Sequence, residues 1–215
     1  MNCYDGHMTI TQYEQSGLII TSKNGQTLAI DIGALTPIEQ LADMTVDAML
    51  ISHIHADHCS APQVQTLSPN MLYAGAECLE SLQEEKILVT TIAANDTFSS
   101  GDFTITPFDV DHGPNAPQVP QQNFGFLIEV DESVIYFAGD MYTQLDIDVS
   151  EISADAVCVP VGGHFTFDAT EAFAFVQQFE SIKTIYPMHY EAVGPIDVAG
   201  KEKFVALAHN LFTVV

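Results

Sequence analysis

The chain has 215 residues, 47% of them hydrophobic and 16% charged, a globular composition that fits one domain by the usual prior of roughly 100–200 residues. It carries 29 Asp and Glu against five lysines and no arginine, a formal charge of −24. Such a chain repels nucleic-acid backbone and anionic membrane surface, and has no guanidinium to clamp a phosphate.

Residues 1–7 hold no secretory signature and read as a loose extension ahead of a single domain over 8–215. The four cysteines (Cys3, Cys59, Cys78, Cys158) form no CxxC pair, so reduced thiols in the cytoplasm are expected. No apolar run is long enough to span a bilayer. Short β-type runs follow at 8–13, 17–22 and 26–32, with Lys23-Asn24-Gly25 as a hairpin turn between the last two. A short helix is predicted over 37–44, a buried strand over 48–52, and helices over 61–67 and 76–85 with strands at 72–74 and 87–92. A second β-rich stretch covers 103–110, 124–130 and 134–138. Then come a helix over 142–152, a strand over 156–160, a helix over 168–179 capped by Asp168, a strand over 182–187 and a last helix over 201–207. Two mixed halves with no linker suggest two sheets packed together with helices outside. The loop 113–123 has three prolines and no charge, and directly follows a histidine, the position of a site rim or lid.

The chemistry is concentrated at His53-Ile54-His55-Ala56-Asp57-His58, where a strand ends. Four potential ligands in six residues fan around one point. Imidazole and carboxylate suit Zn²⁺, Mn²⁺ or Fe²⁺. This HxHxDH run resembles the signature of the metallo-β-lactamase superfamily, and the later members of that signature follow in order. His112 stands in Asp-Val-Asp-His-Gly, Asp140 in Tyr-Phe-Ala-Gly-Asp-Met and His189 in Tyr-Pro-Met-His-Tyr, each just past a strand. Asp31, in Ala-Ile-Asp-Ile-Gly, matches the family's early aspartate.

The resemblance implies a four-layer αββα sandwich of two mixed β-sheets flanked by helices. It also implies two divalent metal ions, zinc first, with manganese or iron as alternatives. His53, His55 and His112 would hold one metal; Asp57, His58 and His189 would hold the other; Asp140 would bridge them beside a hydroxide. Asp31 would orient a ligand histidine from behind. The implied activity is hydrolysis of a small-molecule ester, lactone or phosphoester, with the hydroxide attacking and Asp57 or His164 moving protons.

His164 lies in Gly162-Gly163-His164-Phe165-Thr166-Phe167-Asp168, which resembles a stretch of the small hydrolases related to the L-ascorbate-6-phosphate lactonase. That subgroup often has Gly-His-Ser/Ala in its first strand pair, where this chain has Glu14-Gln15-Ser16. Two alternatives stand beside hydrolysis: a metal-binding sensor or structural protein with the same fold, and an iron-dependent redox enzyme. The second is disfavoured because the flavodiiron branch carries Glu where His55 stands. A small-molecule substrate is expected, with no nucleic-acid or membrane partner; a homo-oligomer is compatible with the sequence.

Overall fold

A computed structural model of the chain describes residues 8–144, 147–191 and 193–215; the extension expected over 1–7 lies outside them. The first sheet takes its strands in chain order: β1 (Thr9–Gln12), β2 (Leu18–Thr21), β3 (Thr27–Ile30), β4 (Ala48–Ile51), β5 (Met71–Ala74) and β6 (Thr90–Thr91). β1 to β3 form an antiparallel meander, and β3 to β6 run parallel. Parallel neighbours need crossovers, supplied by α1 (Ile38–Leu41), α2 (Ala61–Leu67) and α3 (Ala76–Glu84).

The second sheet repeats this plan. β7 (Phe98–Ser100), β8 (Phe103–Asp111), β9 (Phe124–Val130) and β10 (Ser133–Phe137) are antiparallel. β12 (Ser153–Pro160), β13 (Ser181–Met188) and β14 (Thr213–Val214) then add in parallel, through α4 (Ala169–Val176) and α5 (Gly200–Ala208). The two-residue β11 (Thr143–Gln144) closes the far edge on β8.

Alternation along the strands dictates the layers. Leu18, Ile20, Leu28, Ile30 and Leu50 join the phenylalanines of the second sheet in one core, whereas Ile19, Ala29, Met49 and Ile51 face Leu41, Val64, Leu67 and Leu82 of the outer helices. A slip of one residue would exchange these sets, so burial on both faces pins the register. On the opposite flank Phe175 of α4 meets Tyr136 of β10, ring centroids 5.8 Å apart. The result is the αββα sandwich that the sequence resemblance implies. Among the described residues no helix is long and apolar enough to cross a membrane.

Most predicted elements appear within a few residues of their expected bounds. The hairpin turn is present, with Gly25 at φ 84°. Asp168 caps α4 in a full capping box with Glu171. The helix predicted over 142–152 is corrected over its described residues, 142–144 and 147–152; residues 145–146 of it lie outside the described chain. Tyr142 N–H donates to Asp111 O at 2.7 Å, Thr143 and Gln144 pair with β8, and β12 begins at Ser153, three residues earlier than expected. Thr143 Oγ1 also donates to Asp111 Oδ2 at 2.9 Å. The described residues of this stretch attach to a sheet edge at Thr143–Gln144 and anchor through buried Val149 rather than presenting a helical face. The strand expected over 87–92 is reduced to Thr90–Thr91.

Candidate metal centre

Six strands end on the same rim, and the loops leaving them carry the site. β3 delivers Asp31, β4 the His53–His58 loop, β8 His112, β10 Asp140 and β13 His189; Gln15 follows β1. Ligands thus come from both sheets. The β4 loop is a tight turn in which the His58 and Cys59 amides both donate to His55 O, at 2.9 and 2.7 Å. The loop also presses on the chain beyond β3: a Cβ on Gly33 would lie 2.0 Å from the backbone of Asp57, so only glycine lets the two segments meet. Asp31, Gln15 and His189 sit in the left-handed region (φ 50°, 57° and 58°). Backbone strain of this kind costs on the order of 1–3 kcal/mol per residue and concentrates at functional sites.

The seven expected ligands converge. His53, His55 and His112 form one group, His53, His58 and Asp140 a second, and Asp57, His58 and His189 a third; within each, candidate ligand atoms lie within 4.8 Å of one another. Asp140 Oδ2 is central, 3.0 Å from His189 Nε2, 3.3 Å from His58 Nε2 and 3.5 Å from His112 Nε2.

The hydrogen bonds behind the rings decide which nitrogens face inward. A carboxylate only accepts, so His58 Nδ1 donates to Asp31 Oδ2 (2.8 Å). Ser52 Oγ donates to the same oxygen (2.6 Å), and its lone pair then receives the Nδ1 proton of His53 (2.9 Å). His55 Nε2 donates to the Gln118 carbonyl (2.7 Å) and His112 Nδ1 to that of Gly113 (3.2 Å). Each of these four rings turns its other nitrogen into the cluster. Two of these, His53 Nε2 and His55 Nδ1, face each other at 2.9 Å. His58 Nε2 and His112 Nε2 are buried without a hydrogen-bond partner. Facing lone pairs and orphaned buried nitrogens fit a bound cation: the donor set is imidazole and carboxylate, and each ring is braced from behind.

Electrostatics agree. Burial, reinforced by the neighbouring His58, holds His53 well below the ordinary histidine range. Burial alone would lower His58 and His189, but the Asp140 carboxylate outweighs it and raises both, with Asp57 and Asp31 adding to His58. Burial would raise Asp140, yet His189 and His58 hold it well below the carboxylate range. Asp57 is depressed likewise, against its own burial, chiefly by His58.

A cavity of about 420 Å³ opens over the cluster, within the range of small-molecule sites. Asp57 and Asp140 line it, as do Ala116, Pro117 and Gln118 of the proline-rich loop. That loop is a wall of the site and supplies His55 with its backbone acceptor. Phe165 lines the cavity; His164 does not. The His164 backbone is left-handed (φ 61°), its carbonyl accepts from Asn115 Nδ2, and its exposed ring packs edge-on against Phe165 at 4.6 Å. The structure therefore does not bring His164 to the cluster.

The sequence named Gln15 only as a departure from the related subgroup, which put a site contact there in question, and did not single out Ser52 or Asn123. Gln15 is buried, lines the cavity, and places Nε2 3.2 Å from Asp57 Oδ2 and 3.3 Å from His189 Nε2. It stands where the related subgroup has histidine. Ser52 links His53 to Asp31, and Asn123 Nδ2 donates to Asp140 O at 3.0 Å. Ser52 adjoins the motif, which was the available signal; the Gln118 and Gly113 carbonyls have none in side-chain identity.

The chain has relatives. Residues 9–189 match the model of the β-lactamase superfamily domain. A UPF0173 metal-dependent hydrolase of Pyrococcus abyssi is 31% identical over 177 residues, covering 79% of this chain and 77% of its own. Among solved structures, Igni18, a metallo hydrolase from Ignicoccus hospitalis, superposes with a TM-score of 0.76 at 20% identity, over 97% of this chain and 94% of that one. The metallo-β-lactamase fold protein YhfI from Bacillus subtilis does so with 0.68 at 17% identity, over 94% and 89%. At these identities the structural likeness shows the fold.

Proposed function

Because the chain belongs to the β-lactamase superfamily, we propose that it is a metal-dependent hydrolase holding two divalent cations, zinc first, and acting on an ester, lactone or phosphoester of a small molecule. The observation that carries this reading is the tautomer pattern: four histidines are braced so that their free nitrogens meet, beside two carboxylates, on the wall of a small-molecule cavity.

His53, His55 and His112 would hold one cation and Asp57, His58 and His189 the other, with Asp140 between them. Bound there, the metals supply Lewis acidity, acidifying water and polarising a carbonyl or phosphoryl oxygen. The chain's own residues do the rest. Asp31 keeps the proton on His58 Nδ1 and, through Ser52, on His53 Nδ1. Gln15 donates to Asp57 and limits its swing. Asp57, which lines the cavity with a quarter of its side chain exposed, would accept a proton from water and return it to the leaving group. His164 is assigned no part in this transfer.

The test is metal content and turnover on protein purified without added metal. About two zinc per chain, loss of activity on chelation, recovery on reconstitution, and loss in His53→Ala and Asp140→Ala are expected. Full activity in a metal-free sample would refute the mechanism.

A further inference from the structure

The cavity wall carries information about the substrate beyond the bond broken. Its charged and titratable groups are the metal-centre residues themselves. The remainder is Leu35, Pro117, Phe165, Val193 and Ile196, three alanines and two glutamines. Of the glutamines, Gln15 has its amide nitrogen committed to Asp57 and His189. None of the five lysines lines the wall, and three of them sit beside surface aspartates, Lys23 on Asp131, Lys183 on Asp155 and Lys203 on Asp197.

A charged group seated against these apolar side chains would shed water with no counter-charge beside it, a penalty that an apolar body avoids. A reacting phosphoryl group spreads charge over several oxygens that need cationic partners. Acyl transfer develops charge on one oxygen. The latter makes the smaller demand on a site whose cations would be confined to one cluster and whose fixed charges, Asp57 and Asp140, are negative.

Resting on the hydrolase reading, we propose that the substrate is an uncharged carboxylic ester or lactone with an apolar body. The oxygen of water bonds to the carbonyl carbon, the acyl C–O bond breaks, and the proton released by water ends on the departing alcohol. The product acid, ionised at neutral pH, then lies on a wall with no lysine or arginine to retain it, which favours its release.

The test uses metal-loaded protein and p-nitrophenyl acetate, butyrate and hexanoate, with p-nitrophenyl hemisuccinate and bis(p-nitrophenyl) phosphate as charged counterparts. Burial of each added methylene is worth up to about fourfold in binding, so kcat/KM should climb two- to fourfold per methylene. Butyrate should exceed hemisuccinate by at least about tenfold, and Leu35→Lys should narrow that gap. Calorimetric binding of hexanamide against succinamate gives a readout without turnover, with hexanamide at least about tenfold tighter. A flat chain-length series, or preference for the charged compounds, overturns the substrate class while leaving the hydrolase standing. No turnover of any ester with selective binding of hexanamide sinks the hydrolase reading and keeps the apolar selectivity. Neither turnover nor selective binding refutes both.

Discussion

Replacing Asp31 with asparagine tests the bracing of the metal centre more sharply than removal of any ligand. Asp31 is fully buried and accepts three hydrogen bonds, from Ser52 N (2.7 Å), Ser52 Oγ (2.6 Å) and His58 Nδ1 (2.8 Å). Asparagine keeps the volume and tolerates the left-handed backbone at φ 50°. Its carbonyl can serve Ser52 N, but its NH₂ group then points at Ser52 Oγ and His58 Nδ1. His58 escapes the clash by moving its proton to Nε2, which removes that nitrogen as a ligand. Losing two hydrogen bonds to a charged acceptor costs about 2–4 kcal/mol of stability after partial replacement. Losing a ring's brace weakens metal binding by about 10- to 100-fold, or about 1.4–2.8 kcal/mol. Competition against a chromophoric chelator would read the affinity, and calorimetry of the chelated protein the stability. Wild-type affinity for every bound metal in Asp31→Asn would refute the argument, since the tautomer of His58 would then be set by something other than Asp31.

Chelation should lower Tm by about 8–16 °C, because ligand at a thousand times its Kd contributes about 4 kcal/mol and each kcal/mol moves a chain of this size about 2–4 °C; unchanged melting would mean the centre is not metallated. The chelated protein should be most stable near the unfolded histidine pKa of about 6.5. His58 and His189 have raised pKa values, so their stabilisation is complete below about 6.5 and is lost as pH rises through their folded values. His53 and His55 are lowered, so stability falls as the pH drops below about 6.5 and the unfolded chain takes up protons that the fold refuses; Asp57 and Asp140 add a further loss below about pH 4. A monotonic melting profile between pH 5 and 9 would contradict these signs. Gly33→Ala should destabilise by about 1–3 kcal/mol and reduce metal content, because its Cβ meets the Asp57 backbone rather than a flexible side chain; full metal occupancy in that variant would show that the loop yields without cost.

The reach of the sequence followed how local each determinant is. His53, His55, Asp57 and His58 share one turn, so their spacing alone exposed them. His112, Asp140 and His189 lie far apart in the chain, but each follows an apolar run that reads as a strand. α2 was legible to the residue because Ser60 precedes it, Pro62 sits in its first turn, and Val64 and Leu67 share a face. The strands β7, β11 and β14 span two or three residues, and their hydrogen bonds are decided by β8 and β13, not by their own composition. The same effect accounts for the helix expected after Tyr142 being absent from its described residues. Gln15 reaches the site only because the chain bends into the left-handed region between β1 and β2, and its backbone carbonyl receives the His189 amide at 3.0 Å. No run of residues around it announces either fact. His164 marks the opposite limit: its motif is local and clear, but the turn that presents it aims the neighbouring Phe165 at the cavity.

One carboxylate connects the two candidate metal groups. Asp31 Oδ2 takes the proton of His58 Nδ1 directly and that of Ser52 Oγ, which in turn takes the proton of His53 Nδ1. His53 belongs to the group completed by His55 and His112, and His58 to the group completed by Asp57 and His189. A cation on either ring draws electron density from it and strengthens its bond to the shared acceptor, so each group is organised by the same hydrogen-bond chain that organises the other. The outer ligands bring in the second sheet: Asp140, between the two groups, follows β10, and His189 follows β13. The chain packs five imidazoles against two carboxylates in one cluster, an arrangement whose inward-facing nitrogens a short proton network satisfies only in part. Cations at the centre would resolve it while Asp31 holds it from behind, which makes the aspartate at the end of β3 as much a part of the site as the candidate ligands themselves.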